Sequence, residues 1–205
     1  MVAKANLFVV SAPSGAGKTS LLKQLIKELT NVQTAISHTT RSKRESEVDG
    51  KDYHFVTAEE FNSLIEQKAF HEYAIVFGNL YGTSKSSITE QINRGIDVIL
   101  EIDWQGAGQI KEQIPKSCSI FILPPSRSAL ESRLKGRGQD DDSVINQRMS
   151  EAISEMSHYN EYDYLVINDD FSIAVEEIKA IIQAERQKLP IQQQKHAQML
   201  SNLLE

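Results

Sequence analysis

The chain of 205 residues is 40% hydrophobic and 24% charged, which suits one compact domain with a real core and excludes global disorder. A net charge of -6, from 22 Lys+Arg against 28 Asp+Glu, excludes nucleic-acid binding through bulk positive charge and leaves any anionic ligand to clustered arginines. One cysteine excludes an internal disulfide, and no run approaches the ~20 apolar residues of a membrane span, so a cytoplasmic protein with no membrane partner is expected.

From the N-terminus, "MVAKANLFVV" has too short an apolar run for a signal peptide, and "NLFVV" (6–10) predicts a buried strand. After "SAPSGAGKTS" comes a helix with Leu21, Leu22, Leu25, Ile26 and Leu29 on one face at 3.6-residue spacing. "TAIS" (34–37) predicts a second strand. Residues 38–90 are polar, with strand-like pieces "YHFV" and "EYAIVF" around the helix "AEEFNSLIEQ". "IDVILEI" (96–102) and "SIFIL" (119–123) predict core strands, with Cys118 as a buried small hydrophobe beside the second. Residues 126–149 are highly charged around the glycines of "GRG", and "DDD" (140–142) reads as a solvated face or helix cap. "YLVIN" (164–168) predicts the last strand. A helix with Phe171, Val175, Ile178 and Ile182 follows, stopped by Pro190, and "IQQQKHAQMLSNLLE" predicts one final amphipathic helix covering the core.

This alternation predicts an α/β fold with a mostly parallel sheet flanked by helices. A single domain over 1–205 is expected, with core segments 1–37, 91–125 and 150–205. Residues 38–90 and 126–149 are insertions on the sheet, of the kind that serve as binding flaps and lids.

The stretch Ala12, Pro13, Ser14, Gly15, Ala16, Gly17, Lys18, Thr19 nearly spells G-x-x-x-x-G-K-[ST], with Ala12 in place of the first glycine. A strand precedes it and a helix follows, as a phosphate loop requires. Gly15 and Gly17 let backbone N–H groups turn inward, the helix dipole adds positive potential, Lys18 reaches the β- and γ-phosphates, and the Thr19 hydroxyl ligates Mg²⁺. "IDVILEIDW" ends in Glu101 and Asp103, acids that suit either a magnesium side or an acceptor substrate.

"SAPSGAGKTS", "SHTTR" with a further Arg three residues on, "GKDYHF", "FHEYA", "GNLYGTS", "EIDWQG", "GRG" and "EMSHYNEYDYLVIND" together resemble the bacterial-type guanylate kinase family, over residues 6 to about 188. The resemblance implies a P-loop NTPase fold with an acceptor-binding flap and a lid. It also implies Mg²⁺-assisted in-line transfer of the γ-phosphate of ATP to GMP, with dGMP as a further acceptor.

Arg41 and Arg44 lie three apart in a short polar turn with Tyr53 following, so two guanidinium forks and a phenol can clamp a monophosphate dianion, with Tyr81 adding a hydroxyl. The other reading of the two arginines is a solvated turn paired with Glu45, Glu47 and Asp49. The family positions assign guanine reading to Glu72, with Asp103 as a second acceptor or a water-mediated magnesium partner. They also place Ser37, Gly82 and Thr83 at the base. In the lid, Arg133, Arg137 and Arg148 match donors around the transferring phosphoryl group and the adenine, with Asn168 and Asp169 near the adenine. Lys18, Arg41, Arg137 and Arg148 are thus the catalytic set. No general base is needed, since a phosphate monoester with second pKa near ~6 is already largely dianionic at neutral pH. Two rivals remain: a kinase for another nucleoside monophosphate, and a related binding module without catalysis. The sequence leaves a homo-oligomer open.

Overall fold

The computed structural model describes residues 5–76, 78–136 and 142–205. Strand β1 (Leu7–Ser11) is buried throughout and starts the core. Helix α1 (Lys18–Glu28) follows, then β2 (Val32–Thr34), β3 (His38–Thr39), β4 (His54–Phe55), α2 (Ala58–Glu66), β5 (Phe70–Val76), β6 (Asn79–Ser84) and α3 (Lys85–Asn93). The second half runs β7 (Asp97–Glu101), α4 (Trp104–Gln113), β8 (Cys118–Leu123), α5 (Arg127–Lys135), α6 (Asp142–Met156), β9 (Tyr164–Ile167), α7 (Phe171–Arg186), α8 (Leu189–Lys195) and α9 (Ala197–Leu204).

Five strands form a wholly parallel sheet in the order β2-β7-β1-β8-β9. Because successive side chains of a strand point to opposite faces, β1 feeds two cores. Phe8 and Val10 join Leu21, Leu22 and Leu25 of α1 and Val175, Ile178 and Ile182 of α7 on one face. Leu7 and Val9 join Ile88, Val98, Leu100 and Ile110 on the other. Parallel strands covered on both faces read as continuous apolar runs, which is why these were visible in the sequence. Cys118 is buried in β8, and burial pushes its thiol up to about 12.

The second, four-stranded sheet has the order β4-β3-β6-β5 and is mixed, with β6 antiparallel to both neighbours. Helix α2 opens on a reciprocal capping box between Thr57 and Glu60 and buries Phe61 against Phe70, ring centroids 4.7 Å apart. The edge strand β5 is covered by α4. The Gln109 side-chain amide accepts from Tyr73 N–H (3.1 Å) and donates to Tyr73 C=O (2.8 Å), in place of a further strand.

Four expectations need correction. The strand expected at 34–37 lies at Val32–Thr34; the chain then leaves the sheet after Ala35 N–H bonds Ile99 C=O. The single C-terminal helix is two short ones, interrupted at His196 (φ -112°, ψ 21°). Pro190 lies inside α8, at its start, where its missing N–H costs nothing; α7 has already ended at Arg186. The divisions drawn at 90 and 149 fall within α3 and α6. Among the described residues no helix is long and apolar enough to cross a membrane.

Candidate active site

The turn from β1 into α1 is held open by two glycines with positive φ, Gly15 at 90° and Gly17 at 94°. Both are also hemmed in. A Cβ on Gly15 would meet Leu134 Cδ2 of α5 at 2.9 Å, and one on Gly17 would meet Asn168 Nδ2 at 2.6 Å. Ala12 needs no such freedom at the end of β1, which accounts for its tolerance in the loop. Asn168 is buried beneath the turn, its amide donating to Ala16 C=O at 2.6 Å. Lys18 Nζ reaches Ile102 C=O at 3.1 Å, and the Thr19 hydroxyl donates to Glu101. On the far side of the loop, Glu155 Oε2 of α6 accepts Ser14 N–H at 2.9 Å.

The second sheet supplies the facing wall. Arg41 Nη2 donates to Glu47 Oε1 at 2.7 Å, and its guanidinium lies 5.5 Å from the Tyr53 ring centroid. Glu47 also accepts the Arg44 N–H at 2.9 Å while the Arg44 side chain stays 72% exposed. The hydrogen bond from Arg41 is the main cause that holds the Glu47 carboxyl below its ordinary value. Burial pushes the Tyr53 phenol up to about 12, with the Glu101 and Tyr81 charges adding to it.

Glu72 lies on the inward face of β5, where the pairing with β6 shifts register between Phe70 and Glu72. It is 2% exposed, and among the described residues its Oε1 has no hydrogen-bond partner. Burial pushes its carboxyl up to about 7, with Asp103 adding to the rise and the Thr83 hydroxyl opposing it. A buried, unsatisfied acceptor is costly unless a ligand completes it.

The loop and this wall line one cavity of about 600 Å³. It brings together Ala12, Pro13, Ser14, Gly15, Gly17, Lys18 and Thr19 with Ser37, Arg41, Arg44, Tyr53, Glu72, Tyr81 and Asp103. Other expected site residues stand behind that lining. Ala16 is buried within the loop, and Thr83 is buried with its hydroxyl 3.0 Å from that of Ser37. Gly82 serves packing, since a Cβ there would meet the Phe61 ring at 2.9 Å. Asp103 caps α4, accepting Gly106 N–H at 3.0 Å, while its other oxygen accepts from the Gln105 amide.

Arg133 Nη2 donates to Asn168 C=O at 2.9 Å, and its Nη1 is buried without a partner among the described residues. Arg148 is half-buried on α6, and Asp169 is exposed. Arg137 lies outside the described residues. Glu155 was not foreseen as a site residue, and Glu47 only as a surface counter-charge for the arginines. The signal for Glu155 was its place seven residues after Arg148 on one helix.

The family model described as Guanylate kinase matches residues 4–185. A guanylate kinase from Shewanella sp. (strain MR-7) is 55% identical, the match covering 100% of this chain and 99% of the relative. One from Salmonella typhi is 52% identical over 99% of each. Among solved structures, guanylate kinase from Anaplasma phagocytophilum has a TM-score of 0.75 at 34% identity, covering 92% of this chain and 89% of that one. The SH3-kinase fragment of tight junction protein 3, at 9% identity and TM-score 0.51, covers 91% of this chain and 59% of that one and resembles it in fold alone.

Proposed function

The chain belongs to the guanylate kinase family, and from that premise we propose that its cavity carries the γ-phosphoryl group of ATP to GMP, giving ADP and GDP. The observation that carries this reading is the meeting, in one cavity, of a phosphate loop and the buried, half-satisfied carboxylate of Glu72.

In this reading the loop N–H groups and Lys18 hold the donor phosphates. Arg41, Arg44, Tyr53 and Tyr81 hold the GMP phosphate, whose oxygen attacks phosphorus as the bond to the ADP oxygen breaks and ADP keeps the electron pair. Stabilising spread negative charge and excluding water are the protein's main tasks in such a transfer. Guanine presents two donors on one edge, N1–H and the 2-amino group, and Glu72 is the acceptor suited to both. Ser37 and Thr83 supply hydroxyls at the base, with Gly82 keeping room for the packing behind them. Arg133, Arg137 and Arg148 belong to the donor side, with Asn168 shaping the loop from below. The acceptor is read at its phosphate and its base edge, so dGMP, which shares both, is accepted. A cytoplasmic location follows from the supply of these substrates.

The oxygen donors of Thr19 and Glu101, beside Asp103 on the cavity wall, suit a hard divalent ion such as the Mg²⁺ that accompanies ATP. Such an ion would neutralise charge between the β- and γ-phosphates.

The test is ADP release from ATP with GMP, dGMP, AMP, dTMP and UMP in turn. Turnover is expected with the two guanine nucleotides. Preference for another base overturns the assignment of Glu72, and no turnover with any acceptor points to a binding module.

A further inference from the structure

Glu155 holds neither substrate in the reading above, yet its carboxylate reaches across 141 residues of sequence to the Ser14 N–H of the phosphate loop. It sits on the cavity wall, where burial chiefly raises its pKa, the Ser14 N–H and Lys18 oppose that rise, and the charges of Asp103 and Glu151 add to it. Helix α6 is pinned again just beyond its end, where the His158 ring stacks on Trp104 of α4 at 3.7 Å and 5°. The same helix carries Arg148 seven residues before Glu155, and at ~100° per residue seven residues return to nearly the same face. Ala152, between them, packs with Leu130 and Leu134 of α5, the side chains that abut Gly15.

We propose that Glu155 is a positioning residue for the transfer: by accepting the Ser14 N–H it fixes α6 against the phosphate loop and so sets the height of Arg148 along that loop. A charge-assisted N–H···O bond is short and directional, so it can register a helix against a turn where apolar packing would let it slide. The inference rests on the reading of Arg148 as a donor-side residue, and the experiment separates the two.

Steady-state kcat and KM for ATP and GMP are compared in Glu155→Ala, Glu155→Gln, Arg148→Ala and the Glu155→Ala/Arg148→Ala double variant. Fluorescence of Trp104, the chain's one tryptophan, reports whether the far end of α6 stays docked. Glu155→Ala should lower kcat about tenfold, on the scale that misplacing a positioned group produces, with KM for GMP unchanged. Glu155→Gln should recover most of the loss, because its amide oxygen still accepts the N–H. The double variant should be no slower than Arg148→Ala alone.

Additive losses overturn the inference and leave the Arg148 reading standing. An Arg148→Ala enzyme with full kcat overturns both. A Glu155→Ala enzyme with lower KM for ATP and unaltered kcat also overturns the inference, since the carboxylate would then compete with phosphate. If Glu155→Ala does not fold, Glu155→Asp takes its place with the same expectation, keeping the charge but falling short of Ser14 by one methylene.

Discussion

The Glu72 carboxylate fills the space that a side chain on Gly106 would need: a Cβ at position 106 would lie 2.6 Å from Glu72 Oε2. The first turn of α4 therefore forms the floor under the proposed guanine reader, and its glycine bears on function more than on helix stability.

Gly106→Ala should fold, because only the end of a side chain must move and alanine favours the helix by up to ~1 kcal/mol. The same shift takes Glu72 off its register, so kcat/KM for GMP should fall about tenfold or more while KM for ATP holds. Thermal unfolding beside kinetics checks both halves, and an unaltered kcat/KM would mean that Glu72 placement does not limit the reaction.

Glu72→Gln keeps the volume but offers an amide, which can accept one guanine donor and donate to adenine N1. kcat/KM for GMP should drop at least ~30-fold, about 2 kcal/mol, with AMP unchanged or improved. GMP preference that survives intact would move the base reader elsewhere, Asp103 first.

The raised pKa of Glu72, about 7, has a linked effect on binding. Guanine donors favour the ionised carboxylate, so GMP binding at pH 7 should expel roughly half a proton from this group and tighten as pH rises through 7. Calorimetry in buffers of different ionisation enthalpy measures the release, and the difference from Glu72→Gln removes the contribution of the GMP phosphate. For folding, the sign is opposite to that of an ion-paired acid. Stability is greatest below the unfolded value near 4.5 and falls as pH rises toward 7, by up to ~3 kcal/mol. Glu72→Gln should therefore unfold at higher temperature than the wild type at pH 8 but not at pH 4.

Glu47 holds both acceptor arginines, taking Arg41 Nη2 at 2.7 Å and the Arg44 N–H at 2.9 Å. Glu47→Gln should raise KM for GMP about tenfold and leave KM for ATP alone, the mark of lost preorganisation on one side of the cavity. Its lowered pKa means that its stabilisation is present above the unfolded value near 4.5 and lost as pH falls through the folded one. The variant should lose that part of the acid sensitivity in a pH series of unfolding curves.

Among the described residues the Lys18 ammonium group hydrogen-bonds only Ile102 C=O, so Lys18→Ala should fold normally. kcat should fall roughly a hundredfold or more, the scale of losing one charge partner in the transition state. Near-normal turnover in a folded variant would remove Lys18 from the mechanism.

Where side chains are buried on both faces of a parallel strand, composition alone reveals the element, and β1, β7 and β8 were legible for that reason. The edge strand β9 was legible from its apolar run although Leu165 and Ile167 are exposed. The helix α4 was not, because "WQGAGQIKEQ" carries two glycines and its cap, Asp103, reads equally as a site acid. The strand β6, "NLYGTS", interrupts its alternation at Gly82, whose need for the Phe61 ring comes from a distant helix. The cavity's residue types were legible through the loop pattern and the paired arginines. The contacts that tension it, Glu155 with Ser14 and Gly106 with Glu72, join residues far apart in sequence and leave no local pattern.

The Asn168 amide that braces Ala16 comes from 152 residues downstream, and β1 itself lies between two strands that follow it by about ninety and more residues. On a growing polypeptide the nucleotide-binding turn is thus among the first segments made and among the last to take its shape. Long-range closure of this kind is slow, because the loop entropy is lost before the distant contacts form. A chain ending before β9 would carry the whole "GAGKT" motif and none of the brace that shapes it.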